Sequence, residues 1–123
     1  MKMVNHNLSK SDWEKYIIEQ MMPKKYNFIV LLSRINSFNG KASCQQLYQR
    51  FGVEKDFYFR WAISFGKDVN EFFNLVLDIQ SEDAFASIPF NIESDEEDYI
   101  LSIKAELKEA MMILDFSNID VII

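Results

Sequence analysis

Few side chains in this sequence are suited to catalysis. The chain has one histidine, His6, and one cysteine, Cys44. His6 lies in the polar N-terminal stretch, so the body of the chain has no histidine that could pair with Cys44 and activate it as a nucleophile. We interpret Cys44 as a small, partly buried residue near the start of a helix. There is also no glycine-rich loop of the kind that binds phosphates. The sequence therefore predicts a protein that is not an enzyme.

The densest cluster of reactive groups is acidic. Five carboxylates lie within the six residues Glu93-Ser94-Asp95-Glu96-Glu97-Asp98. The segment lacks the spacing and the glycine of a calcium-binding EF-hand loop, and we expect no metal and no cofactor there. Two interpretations remain open: a solvated turn, or an acidic surface that docks on a basic protein partner or mimics DNA phosphates. In the second, the partner-binding residues are Glu93, Asp95, Glu96, Glu97 and Asp98.

A helix-turn-helix pattern lies between Cys44 and Ile63. Gly52 stands at the turn, and apolar residues on both sides of it are spaced to pack the two helices together. Tyr48 departs from the pattern, because it occupies a position that is usually small. Basic and amide side chains on and beside the motif can contact phosphates and base edges. These candidate DNA-binding residues are Lys41, Gln45, Lys55, Arg60 and Lys67. Phe59 is also predicted to be exposed on the second helix. The alternative is that these residues form an ordinary solvated helix surface.

Helical spacing predicts the elements that position this motif. A capping box at Ser11 to Glu14 is expected to start the first helix. A second helix is expected over about 24–38, with one buried face formed by Phe28, Leu31, Leu32 and Ile35. Further helices are predicted over about 55–65 and 68–79, with an interruption at Gly66, and over about 104–114.

Two short strands are predicted in the last third of the chain. They cover about 85–90 and 99–103 and form a hairpin at about 85–103, with the acidic run as its loop. Residues 1–10 are expected to be a flexible leader, and residues 11–123 a single domain. The predicted fold is mainly α with a small β-hairpin, of the helix-turn-helix or winged-helix-like class. Residues 118–123 form a strand-like tail.

Charge is distributed unevenly along the chain. Residues 1–60 hold ten Lys and Arg and five Asp and Glu, whereas residues 61–123 hold three and fourteen. The net charge of −6 argues against strong DNA binding. A chain of 123 residues is long enough to bury a core as one domain without a disulfide. A single cysteine fits a reducing cytoplasm, and no apolar run is long enough to span a membrane.

Several short motifs point to a family. They are Gly40-Lys41-Ala42-Ser43-Cys44-Gln45-Gln46-Leu47, Phe51-Gly52, Phe57-Tyr58, Phe65-Gly66-Lys67, Ile88-Pro89-Phe90 and the stretch 103–110. Over about residues 25–112 the chain resembles a small domain of modification-dependent restriction proteins, such as methylcytosine-specific enzymes. The resemblance implies an accessory or specificity module rather than the nuclease. The chain departs from the family at Asp68, where a basic residue is expected, at Lys104-Ala105, which replaces Arg-Pro, and in its acidic hairpin.

Two functions follow as hypotheses. The first is a non-catalytic helix-turn-helix-like accessory domain of a prokaryotic restriction or defence protein, with weak or complex-dependent DNA binding. The second is a protein-interaction module that uses the acidic hairpin or the C-terminal residues Val121-Ile122-Ile123. The charge around the second helix of the motif distinguishes them. A contiguous basic face favours DNA, and acids mixed into that face favour a protein partner.

Overall fold

The computed structural model describes residues 7–75, 81–95 and 97–114. Within these ranges helices dominate, and three short strands form one sheet. The helices are α1 (Lys10–Tyr16), which continues through a π-helical turn (Ile17–Met21) into α2 (Met22–Lys24), then α3 (Tyr26–Asn36), α4 (Cys44–Phe51), α5 (Lys55–Phe73) and α6 (Ala105–Ala110). The strands are β1 (Lys41–Ser43), β2 (Phe90–Asp95) and β3 (Asp98–Ile103). Two 3₁₀ helices cover Glu82–Ser87 and Met111–Ile113.

The sheet is antiparallel, with the strand order β1-β3-β2. Ala42 of β1 pairs with Leu101 of β3, and Phe90 of β2 pairs with Ile103. The chain thus runs from α3 through β1 into the α4–α5 pair and then into the β2–β3 hairpin, which is the topology of a winged helix. The predicted fold, mainly α with a small β-hairpin, is confirmed. β1 was not predicted, because three residues are too short to show a strand period and this strand is defined by its pairing with β3.

The core is centred on Phe65 of α5. Its ring stacks on Phe28 with centroids 4.9 Å apart, and edge-to-face contacts join it to Trp13 and Phe90 at 6.3 and 5.8 Å. These side chains come from α1, α3, α5 and β2, so one aromatic cluster joins most of the elements. The predicted inner face of the second helix is also confirmed, since Phe28, Leu31, Leu32 and Ile35 are all buried.

The predicted interruption at Gly66 is wrong, because α5 runs unbroken through it. Glycine is needed at this position because another segment of backbone packs directly against the helix, and not because the helix bends. A Cβ atom at this position would lie 1.8 Å from the carbonyl oxygen of Phe85 and 2.5 Å from its carbonyl carbon. Gly66 therefore lets the 3₁₀ helix Glu82–Ser87 pass directly over α5, which sets where the hairpin begins.

Other boundaries also differ from the prediction. The segment predicted as the first hairpin strand, 85–90, is mostly the 3₁₀ helix Glu82–Ser87, and the strand begins only at Phe90. Much of the acidic run is strand and not loop, since Glu93 to Asp95 belong to β2 and Asp98 begins β3, with Glu97 in the turn. The first helix is capped by Ser9 with Asp12 and not by Ser11.

Two helices are shorter than predicted: α3 covers Tyr26–Asn36, and α6 covers Ala105–Ala110. The apolar residue before the first cap, Leu8, is buried, so contacts with the core begin within the predicted leader. The predicted helical residues 76–79 and the strand-like tail 118–123 lie outside the described residues. In the described ranges, no helix combines the length and the apolar character needed to cross a membrane.

Candidate functional site

The hairpin is attached to the second helix of the motif by a pair of stacked rings. The rings of Phe59 on α5 and Tyr99 on β3 are nearly parallel, at 7°, with centroids 3.9 Å apart. The prediction that Phe59 is exposed is wrong, because the hairpin covers it and leaves 9% of the residue accessible. The stacked pair fixes the distance between α5 and the hairpin, and a cleft opens beside it.

This cleft, here called the acidic groove, is a cavity of about 260 Å³ between the N-terminal half of α5 and the hairpin. Its lining includes four carboxylates and two cationic side chains. The lining residues are Cys44, Lys55, Asp56, Phe59, Arg60, Asp83, Glu97, Asp98 and Tyr99. The groove therefore carries a net negative charge at the place where a winged helix presents its recognition helix.

The lysines predicted to bind DNA are engaged with the acidic segments. Lys55 Nζ donates a hydrogen bond to the backbone carbonyl of Glu97 at 3.3 Å. Lys41 Nζ lies 3.8 Å from Glu93 Oε1, and both side chains are exposed. These contacts bring Lys55 and Lys41 to the hairpin from two sides.

The remaining three DNA candidates lie in different places. Lys67 Nζ lies 2.6 Å from Glu82 Oε2, beside the 3₁₀ helix and away from the groove. Gln45 approaches the hairpin through its backbone, whose N–H donates to Asp98 Oδ2 at 3.4 Å. Arg60 is exposed and lines the acidic groove. The five residues thus do not form one contiguous basic face.

The predicted partner-binding acids are only partly brought together. Glu97 and Asp98 line the acidic groove, and Glu93 is exposed on β2. Asp95 ends β2 opposite Asp98, but its side chain and the whole of Glu96 lie outside the described residues. Two further groove acids, Asp56 and Asp83, were not among the predicted partner-binding residues. Asp83 joins the groove because the 3₁₀ helix crosses α5, a contact that no local pattern indicates.

Cys44 lies at the base of the groove as a buried free thiol. Burial raises its pKa to about 12, and the negative charges of Asp98 and Asp56 act in the same direction. The charge of Lys55 and a hydrogen bond from the Tyr99 backbone lower the pKa of Cys44, but by less than burial and the two carboxylates raise it. A thiol held in its protonated form is a poor nucleophile at neutral pH. Cys44 is thus a packed side chain, as its position in the sequence indicates.

A buried arginine holds the turn between α4 and α5. Arg34 Nη1 donates to the hydroxyl of Tyr58 at 2.9 Å, and that hydroxyl donates to the carbonyl of Gly52 at 2.8 Å. The guanidinium carbon lies 5.1 Å from the ring centroid of Phe51 and 5.6 Å from that of Trp61. Arg34 is 9% exposed and forms no ion pair with a carboxylate in the described part of the chain. Its charge is therefore held mainly by aromatic faces.

A second cleft, here called the aromatic groove, lies on the other side of Arg60. It is a cavity of about 600 Å³ between the start of α3 and the middle of α5. Its lining residues are Lys25, Asn27, Phe28, Phe57, Arg60, Trp61 and Ser64. Phe57 is 38% exposed, and Trp61 is half-buried.

Comparison of the chain with protein-family models, with curated proteins and with solved structures gave no match. Across residues 7–75, 81–95 and 97–114, no group of three or more His, Cys, Asp or Glu side chains is arranged to hold a metal ion. The acidic groove and the aromatic groove are the candidate binding surfaces of the described residues.

Proposed function

We propose that this chain is a non-catalytic winged-helix domain that binds a basic segment of a protein partner through the acidic groove. The observation that carries the proposal is the excess of carboxylates beside the N-terminal half of α5. Asp56, Asp83, Glu97 and Asp98 face a cleft in which Lys55 and Arg60 are the cations among the described lining residues. A lysine or arginine side chain entering the cleft gains charge-assisted hydrogen bonds to these carboxylates.

Electrostatics argues against the same surface as a primary DNA site. The ion pairs of Lys41 and Lys67 are exposed, and each is worth about 0.2–1 kcal/mol, so DNA phosphates could displace them. The carboxylates of the groove, however, would stay beside the DNA phosphates after the lysines had been released. DNA binding draws its affinity from the release of counterions by cationic side chains, and a carboxylate beside a phosphate repels it instead. With a net charge of −6, the long-range field of the chain adds to this repulsion.

DNA binding remains the second candidate because of the topology and because of Arg60. The order of helices and strands is that of a winged helix, and Arg60 is exposed on the helix that would enter the major groove. On this hypothesis the chain is a DNA-binding accessory domain of a restriction or defence protein, as its resemblance implies. A partner that neutralises the acidic groove is then required for binding. In either case we expect the protein in a reducing cytoplasm, which suits the free thiol of Cys44.

A binding experiment with two probes distinguishes the two candidate functions. A synthetic peptide rich in lysine and arginine should bind the wild-type chain at low salt, whereas a DNA duplex should give no gel retardation. The double variant Asp83→Asn with Glu97→Gln should weaken peptide binding about fivefold, from about 0.5 kcal/mol for each lost charge interaction. A matched control, Glu106→Gln with Glu109→Gln, removes two exposed charges from α6 and should leave binding unchanged.

The opposite result favours DNA. If wild-type chain retards the duplex and Lys55→Ala with Arg60→Ala abolishes the retardation, the basic side chains of α5 are the functional ones. Peptide binding that is equally strong in the double variant and in the control would also contradict the proposal.

A further inference from the structure

We infer that the aromatic groove is a second binding site, which takes an acidic peptide segment carrying an aromatic or large apolar side chain. It differs from the acidic groove in location, in charge and in the ligand that it fits.

The shape of the groove suits one large side chain. Cavities of about 300–1,000 Å³ are typical of ligand sites, and this one measures about 600 Å³. The rings of Phe57 and Trp61 form one wall, with centroids 5.2 Å apart. Phe28 contributes an apolar surface, and Asn27 and Ser64 are polar side chains at the exposed edge. An aromatic ring entering the groove can pack against other rings and leave its peptide backbone near polar groups.

The charges of the groove are positive. Lys25 and Arg60 line it, and none of its described lining residues is a carboxylate. Lys25 Nζ lies 3.7 Å from Asp68 Oδ1, so its charge is partly offset. Behind Trp61, the guanidinium of Arg34 adds a cation that pairs with no carboxylate in the described ranges. Because a buried charge is screened less than an exposed one, Arg34 strengthens the positive potential of the cleft. Carboxylates that flank an inserted ring therefore find complementary charges.

A short acidic peptide fits this surface better than a single-stranded nucleic acid does. A nucleic acid strand carries one phosphate per nucleotide and needs a cationic track along several nucleotides. The aromatic groove offers two lining cations, and the acidic groove begins on the other side of Arg60. A strand that continued in this direction would meet carboxylates. A peptide can place one or two carboxylates at the cations and continue with neutral residues.

The test uses the full chain and a short glutamate-rich peptide that contains one phenylalanine, with a control peptide in which glutamine replaces glutamate. Binding is followed by calorimetry and by tryptophan emission. The chain has two tryptophans, and Trp13 is 1% exposed, so a change in emission on binding reports on Trp61. We expect the glutamate peptide to bind and to change the emission, and the glutamine peptide to bind at least about fivefold more weakly.

Variants locate the site. Lys25→Gln should weaken binding of the glutamate peptide about threefold or more, whereas Lys24→Gln removes a neighbouring exposed charge that does not line the groove and should leave binding unchanged. Phe57→Ser removes an exposed aromatic wall without opening the core and should weaken binding further. Equal binding by Lys25→Gln, Phe57→Ser and wild type would overturn the inference.

Three other outcomes also overturn it. They are no binding of the glutamate peptide, tighter binding of a thymidine oligonucleotide than of the peptide, and self-association of the chain that Lys25→Gln abolishes, which would make a second copy the occupant. The inference does not depend on the acidic groove. Asp83→Asn with Glu97→Gln should still bind the glutamate peptide, even if the basic peptide fails to bind the wild-type chain.

Discussion

The hydroxyl of Tyr16 donates a hydrogen bond of 2.6 Å to Asp68 Oδ2, which joins the first helix to α5 across 52 residues of sequence. Gln20, in the π-helical turn, donates to both oxygens of the same carboxylate at 3.1–3.2 Å. Lys25 adds its charge at 3.7 Å. Asp68 departs from the restriction-protein resemblance, and its partners give it a structural role. It accepts hydrogen bonds from Tyr16 and Gln20 and forms an ion pair with Lys25, contacts that a basic residue could not make.

Removing the Tyr16 hydroxyl should therefore destabilise the domain. Tyr16→Phe keeps the ring, which packs on Phe65 and Phe72, and deletes one hydrogen bond to a charged acceptor. We expect the free energy of unfolding to fall by about 1.5–3 kcal/mol. Urea denaturation measures the change. Tyr48→Phe is the matched control, because Tyr48 is 47% exposed, and this variant should unfold like the wild type. Equal stability of all three chains would contradict the structural role of the bond.

Adding one methyl group at Gly66 should destabilise the domain. Glycine to alanine in a helix normally stabilises it by about 1 kcal/mol. Here the new Cβ would overlap the backbone of Phe85, which cannot move without shifting the 3₁₀ helix. We expect Gly66→Ala to lower the free energy of unfolding by at least about 2 kcal/mol. Ser64→Ala, two residues earlier and exposed, should be neutral or slightly stabilising. A Gly66→Ala chain as stable as wild type would show that the 3₁₀ helix does not cross α5 as described.

Loss of the Tyr99 ring should loosen the hairpin. In Tyr99→Ser the face of Phe59 loses its stacking partner, and we expect about 1 kcal/mol of destabilisation in urea. Binding of the basic peptide should weaken as well, because Glu97 and Asp98 then lose their fixed distance from α5. Tyr48→Ser deletes an equally large ring from the surface and should alter neither quantity. Unchanged stability of Tyr99→Ser would mean that the stacked pair does not hold the groove open.

Alkaline pH should destabilise the domain, first through Cys44. Its pKa rises from an ordinary 9.0 to about 12 in the fold. An unfolded chain therefore releases the thiol proton near pH 9.0 while the folded chain keeps it. The stabilisation is complete below pH 9.0 and is lost as pH rises towards 12. One such group changes the free energy of unfolding by at most about 1.4 kcal/mol per pH unit.

Urea denaturation of Cys44→Ala at a series of pH values tests this expectation. The variant should show a shallower decline between pH 9 and 10 than the wild type, whatever its stability at pH 7. Above pH 10 the decline should continue in both chains, because burial also raises the pKa of Tyr16 above its ordinary 10.0. Parallel curves for the two chains between pH 9 and 10 would contradict burial of the thiol.

The parts of the fold that follow from local patterns were predictable. The apolar face of α3 repeats with the helical period, and Ser43 with Gln46 forms a capping box at the start of α4, a local pattern of the Ser-x-x-Gln type. The turn at Gly52 also lies where the sequence places it, with a positive φ of 82°. Each of these features depends on residues within one or two helical turns of each other.

The features that were missed depend on distant contacts. Gly66 looks like a helix breaker until Phe85 is known to lie against it. The acids of the hairpin look like a loop because charged residues are common in loops, but the backbones of Glu93, Asp95 and Asp98 are paired across β2 and β3. The residue types of the site were predicted, but their arrangement around one cleft was not. Lys55, Arg60, Glu97 and Asp98 were singled out as members of two competing surfaces, whereas they line a single cleft.

The close approach at Gly66 also sets a criterion for recognising homologues of this chain. Core side chains can exchange volume with their neighbours over evolutionary time, so apolar positions drift while the fold persists. No neighbour can compensate for a side chain at position 66, because the contact is with a backbone carbonyl. Diverged sequences that retain this crossing should keep a glycine in the middle of their longest helix. An invariant glycine inside a helix, followed by a short acidic segment and a hairpin, would identify them more selectively than hydrophobic periodicity.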